Sequence, residues 1–174
     1  MTSLAKLKGE ARQRANDILA DMQISVAPVP VDRIAKAQNV AVRYAPLDDG
    51  LSGMAFIRDD TRVIAVNALH HVHRQRFTIA HELAHHVLHS EILTGGDIHV
   101  DRVILHRDDL AASGTDKLEI TANAFASELL MPDFLIRAEA GDVVDLLDEA
   151  KLARLAKRFK VSMAALQFRL VTLG

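Results

Sequence analysis

One run of the chain constrains its fold more than any other. Between Arg74 and His89 the residues Phe77, Ala80, Leu83, Ala84, Val87 and Leu88 recur at helical spacing, with His81, Glu82 and His85 set among them. A helix with that apolar face must be packed against other elements. Its histidines, four apart, lie on one face a single turn from each other. Two imidazoles so placed reach one ion at zinc–nitrogen distances of about 2.0–2.1 Å. Glu82 follows His81 by roughly 100° of rotation, so it borders such an ion without ligating it. That is the place for a general base that holds water and takes its proton as it attacks a carbonyl. The bland alternative is a helix with two surface histidines and a solvated glutamate. The apolar setting and the small Ala84 inside the motif favour the metal.

The rest of the chain supplies short elements. Residues 4–22 read as an amphipathic helix, with Leu4, Leu7, Ala11, Ala15, Ile18 and Met22 at three- and four-residue steps. Pro28 and Pro30 interrupt, and 31–38 reads as a second short helix. Val40, Val42 and Tyr44 alternate as in a strand, and 54–58 and 62–66 are two more strand candidates, joined by Asp59-Asp60 as a hairpin turn. Residues 95–116 are polar and mixed; they read as a mobile insertion holding a short strand at 102–105. Helical spacing returns at 117–130 and ends at Pro132. The stretch 151–173 reads as two helices, with Ser162 as an N-cap between them. The expectation is an α+β fold: a small, mainly antiparallel three-stranded sheet packed on helices. We expect a domain over 1–147 and a C-terminal helical pair over 148–174 packed on it.

A catalytic zinc usually has three protein ligands and one open position. The chain has no cysteine, so thiolate ligands and cysteine nucleophiles are excluded. A third histidine six residues after His85 is also excluded, because Glu91 stands there and Leu88 stands where that pattern needs glycine. The third ligand must come from another segment. Glu119 is favoured, since the helix at 117–130 can pack on the motif helix, and Asn123 one turn later can hydrogen-bond a ligating imidazole. Glu91, Asp97, His99, Asp101, His106 and Glu128 remain rivals, and an exposed first-turn glutamate is the plain alternative for Glu119. His86 and His89 are expected to point away from the ligand pair. His70, His71 and His73 are expected on the surface, and Arg74 and Arg76 are expected to solvate the start of the motif helix. One of His70, His71, His73, His99 and His106 is a candidate to stabilise an oxyanion.

The segment from Arg76 to His89 resembles the bacterial ImmA/IrrE family of metallopeptidases, as does Glu119 to Pro132 with its ending Ala126-Ser127-Glu128-Leu129-Leu130-Met131-Pro132. The resemblance implies a zincin-like fold with a gluzincin-like centre holding one zinc per chain. It assigns ligands to His81, His85 and Glu119, and the catalytic role to Glu82. Many members carry a second acidic residue where this chain has Thr121. The resemblance also implies an endopeptidase that cleaves a partner helix-turn-helix repressor, in a stress response, a mobile element or a toxin–antitoxin module. The rival function is a non-catalytic regulator that sequesters a partner or binds DNA.

The tail resembles half of a helix-turn-helix, with Arg154, Lys157, Arg158, Lys160 and Arg169 making it basic. Phosphate contacts through 151–173 would follow from that. A formal net charge of −2 argues instead for a helical pair packed on the core with its charges solvated. The N-terminus is too interrupted by charge for a signal peptide, and no stretch approaches the roughly 20 apolar residues of a membrane span. The expected compartment is the cytoplasm.

Overall fold

The structure, a computed structural model, describes residues 3–102 and 114–173. The elements run α1 (Leu4–Asp21), α2 (Val31–Ala37), β1 (Val40–Ala45), β2 (Leu51–Arg58), β3 (Thr61–Asn67), α3 (Val72–Leu88), α4 (Ser90–Thr94), β4 (His99–Arg102), α5 (Gly114–Leu130), α6 (Asp133–Ala140), α7 (Glu149–Phe159) and α8 (Met163–Leu173). The fold is α+β, as expected, but the sheet is not the three-stranded antiparallel one. It has four strands in the order β1-β3-β2-β4, with β1 parallel to β3 and the other pairs antiparallel. The mixed order has a local cause. After β1 the chain crosses to the far side of the future β3, so β3 returns between its predecessors.

Asn67 fixes that crossover. It is fully buried at the end of β3, and its Nδ2 donates to the carbonyls of Leu51 at 2.8 Å and Asp48 at 3.3 Å, while its Oδ1 accepts from the Leu47 and Leu69 amides. A buried side-chain amide with all these partners holds irregular backbone that no ladder satisfies. The hairpin from β2 to β3 turns on Asp59 and Asp60, both at positive φ (49° and 58°), the two-residue arrangement that matches strand twist.

The strand expected at 102–105 lies earlier: β4 ends at Arg102, and 103–105 fall outside the described residues. The α4 and α6 helices were not legible, being short and lacking a long apolar repeat. Helix α5 packs on α1 and on α3, and α3 lies on the β2–β3 face. Residues of α7 and α8, among them Leu152, Phe159 and Leu166, belong to the same hydrophobic cluster as Ile79 and Leu83 of α3 and Phe125 and Leu129 of α5. Ser162 caps α8 as expected, its Oγ accepting from the Ala165 amide at 3.1 Å. Among the described residues no helix is long and apolar enough to cross a membrane.

Gly53 sets how closely α3 approaches the sheet. A Cβ there would stand 2.5 Å from Thr78 Cγ2 and 2.7 Å from the Ala65 carbonyl oxygen. Thr78 precedes His81 by one turn, so this contact seats the motif helix. Gly53→Ala is expected to destabilise the fold by about 1–3 kcal/mol through overpacking, read as a lower denaturant midpoint at unchanged slope. An unchanged midpoint would show that α3 has slack at this point.

Candidate metal centre

The side chains that meet at the site come from three elements. Helix α3 brings His81, Glu82 and His85, all buried. Its docking is fixed from outside the motif. Arg76 donates to the Val29 carbonyl at 2.8 Å, Arg74 donates twice to Ser52 Oγ, and Arg62 donates to the His86 carbonyl. Arg74 and Arg76 therefore tie the helix down instead of merely solvating its first turns, a correction to the sequence reading. His86 does point away, its Nε2 donating to the Val63 carbonyl at 2.8 Å. Burial lowers its pKa to about 4, so it is neutral.

Helix α5 brings Glu119, one of whose carboxylate oxygens lies 3.1 Å from His81 Nε2 and the other 3.4 Å from His85 Nε2. Strand β4 brings His99, which pairs in register opposite Ala55. Its Nε2 is 2.7 Å from Glu119 Oε1 and its Nδ1 is 2.9 Å from Glu82 Oε2. One donor atom from each of His81, His85, His99 and Glu119 fits within a group 4.8 Å across, so these four could hold a metal ion.

Two observations fit zinc there. Tetrahedral bonds of about 2.0–2.1 Å put ligand atoms about 3.3 Å apart. The His81 Nε2 to His85 Nε2 separation is 3.3 Å, close to that spacing. The outer contacts also leave both ring nitrogens free toward a common point. Asn123 Oδ1 lies 2.9 Å from His81 Nδ1 and can only accept, so that nitrogen carries a proton and Nε2 is the atom turned toward the other candidate ligands. On His85 the same result follows through a chain. Thr121 Oγ1 donates to the Lys117 carbonyl at 2.8 Å, accepts from His89 Nε2 at 3.1 Å, and so leaves His89 Nδ1 to accept from His85 Nδ1 at 3.1 Å. These tautomers are the assignment the hydrogen-bond network requires. His89 thus faces the ligand pair, contrary to the sequence reading, because it lies four residues after His85 on the same face.

Charge is concentrated here. Burial opposes protonation of His99, but its bonds to Glu119 and Glu82 and their charges outweigh that and raise its pKa to about 10. The His85 pKa falls to about 2, first through burial and then through the charges of His99 and His81. Burial acts to raise Glu119, yet the bonds from His81 and His99 hold it well below the usual carboxylate range. Glu82 is fully buried, burial pushes its pKa up, and its Oε1 has no partner among the described residues. A buried carboxylate oxygen without a partner beside three imidazoles is an acceptor the fold leaves unused.

Of the residues singled out in the sequence, His81, Glu82, His85, Glu119 and Asn123 come together. Glu128 is instead paired with Arg169, and Glu91 and Asp97 are exposed. His106 lies outside the described residues. Asp101 stands near, and its pKa is raised by burial. His99 was only one rival among six. Its placement depends on β4 pairing with β2, which a four-residue edge strand does not announce.

Residues 35–171 match the family described as Peptidase_M78, IrrE N-terminal-like domain. No curated protein gives a significant match to the chain. Among solved structures, a Mycobacterium tuberculosis transcriptional regulator is similar in fold, with a TM-score of 0.59 at 17% identity over 91% of this chain. This chain spans 45% of that protein's length.

Proposed function

The chain belongs to the Peptidase_M78, IrrE N-terminal-like family, and from that membership we propose that it is a zinc-dependent endopeptidase acting on a partner helix-turn-helix repressor in the cytoplasm. The observation that carries the reading is the convergence of His81 and His85 from α3 with Glu119 from α5, beside the buried Glu82. His81, His85 and Glu119 would hold the ion. Bound there, zinc supplies Lewis acidity, polarising a carbonyl and drawing the pKa of water toward about 7. Glu82 takes the proton from the attacking water on its free Oε1 and later returns it to the leaving amine. His99 donates to Glu82 Oε2 and so aims the carboxylate. Asn123 fixes the His81 tautomer.

The repressor substrate is supported by the family. The test is to identify the adjacent reading frame and, where it encodes a helix-turn-helix protein, to incubate that protein with the zinc-loaded chain. A discrete cut that a chelator abolishes and zinc restores is expected. An intact partner after full zinc loading removes the repressor as substrate.

A second reading has its own observation. His99 offers a fourth donor atom within the same 4.8 Å group. If it ligates, the ion is enclosed by protein and the domain is a zinc-stabilised regulator. X-ray absorption of the zinc-loaded protein separates the two: three histidine nitrogens favour the closed site, and two with a solvent oxygen favour the peptidase.

Asn123 gives a prediction in either case. Its side chain is exposed, so Asn123→Leu should leave the fold intact. Loss of its bond to His81 should weaken zinc binding by about 10–100-fold, measured by competition with a chromogenic chelator. Unchanged affinity would mean that His81 is oriented by packing alone.

A further inference from the structure

We infer that α8 forms one wall of a peptide-binding trough beside the metal centre, and that this trough selects an apolar side chain accompanied by an acidic residue. The inference rests on the hydrolytic reading above and names its substrate class. Two cavities, each of about 400 Å³, lie side by side and share Phe77 and Ala165 as common lining. Phe77 stacks on His81 with ring centroids 6.2 Å apart at 29°. Asn123, which bonds His81, lines the first cavity. The boundary between the cavities therefore runs beside a candidate ligand, and a chain laid across both runs over Phe77, the neighbour of His81.

The two halves carry different charged groups. The first is walled by Ile120, Ala124 and Met131 on one side and by Ala164 and Phe168 of α8 on the other. Phe168 is 63% exposed, an aromatic left uncovered at the mouth. Lys8 and Arg12 of α1 also line this half, and no carboxylate does among the described residues. Arg12 Nε is buried without a hydrogen-bond partner among the described residues. The second half sets Ser52, Arg74 and Asp101 among the apolar Phe77, Val161 and Ala165. An extended peptide places alternate side chains on one side. An apolar residue seated against Phe168 thus brings a residue two positions away toward Lys8 and Arg12, where a carboxylate meets unopposed positive charge. The occupant is a polypeptide segment carrying that pair.

This also gives the tail a role other than reading DNA. The face of α8 that lines the cavity is Ala164, Ala165, Phe168 and Thr172, uncharged where phosphate contacts would need cations.

The test uses zinc-loaded full chain with Glu82→Gln, which holds substrate uncut, probed against an array of short synthetic peptides. Sequences with Leu, Phe or Met and an Asp or Glu two positions away should be retained about tenfold better than scrambled ones. Phe168→Glu, with its circular dichroism and zinc content unchanged, should erase that preference. Lys8→Glu with Arg12→Glu should turn the acidic preference into a basic one. No retained peptide, or retention indifferent to these changes, overturns the trough. If the expected pattern appears but zinc-loaded wild-type protein leaves those peptides intact, the trough stands and the hydrolytic reading falls. Zinc-dependent cutting without the pattern does the reverse.

Discussion

Glu82→Gln is expected to reduce kcat for the zinc-dependent cut by at least about 10²–10⁴-fold while leaving zinc content unchanged, because the glutamine keeps the shape and loses the base. The side chain is fully buried, so the substitution acts at one place. The amide oxygen can still accept from His99 Nδ1, the bond Glu82 makes at 2.9 Å. What disappears is the free carboxylate oxygen that receives a proton. The stability sign separates this from a folding defect. Burial raises the Glu82 pKa, so the folded state disfavours its charged form. A raised carboxylate pKa means that the folded protein binds the proton more tightly than the unfolded chain. The ionised group therefore subtracts stability above its folded pKa, and that cost fades as pH falls through it. Replacing it with a neutral amide should leave Tm unchanged or higher at neutral pH. Loss of the cut with a Tm equal to or above wild type, and full zinc loading by metal analysis, is the expected combination. Cleavage near the wild-type rate in purified variant removes Glu82 as the base. A fall in zinc content would make it a ligand instead.

The parts of this centre that the sequence disclosed are those fixed by local geometry. The i, i+4 spacing of His81 and His85 dictates a shared helical face wherever the helix goes, and Asn123 follows Glu119 by the same step. Helix periodicity also located α1, α3, α5, α7 and α8 to within a few residues. The strand pattern gave three strands but not their order, since alternation records which face is buried and carries no direction. The parallel pairing of β1 with β3 depends on the crossover that Asn67 holds, and one asparagine among turn residues does not signal that task. His99 was illegible as a site residue for a related reason. It enters through the pairing of β4 with β2, a contact made far along the chain. His89 was misread despite being local. It lies one turn beyond His85, and its closing partner, Thr121, is on another helix.

The tail shows where a sequence reading of charge goes astray, and it carries the largest expected effect on stability. In the sequence Arg169 stands among the basic residues of the tail, whose charges are expected to be solvated. Arg169 is instead 1% exposed, with Nη2 on Glu128 Oε2 and Nε on the Met131 carbonyl at 2.9 Å. Glu128 is 5% exposed, and its other oxygen accepts from Asn16 Nδ2 at 3.2 Å. One ion pair thus joins α8 to the end of α5 and to α1. Burial pushes the Arg169 pKa down, and the charge and bond of Glu128 pull it back. Such a pair adds little over an apolar pair of equal volume, yet removing one member strands the other charge in the core. Arg169→Met and Glu128→Leu should each cost about 3–5 kcal/mol in denaturant unfolding, a large part of the roughly 5–15 kcal/mol that holds a domain together. The double variant Glu128→Leu with Arg169→Met should recover most of that loss, costing far less than the sum of the two single variants. Single variants that lose less than about 1 kcal/mol would place the pair in water, since that is the range of exposed ion pairs. Because α5 carries Glu119 and Asn123, and α8 lines the trough, the single variants should also release zinc at lower denaturant than wild type. The double variant should hold zinc as wild type does, which ties the metal centre to the packing of the tail and not to its charge.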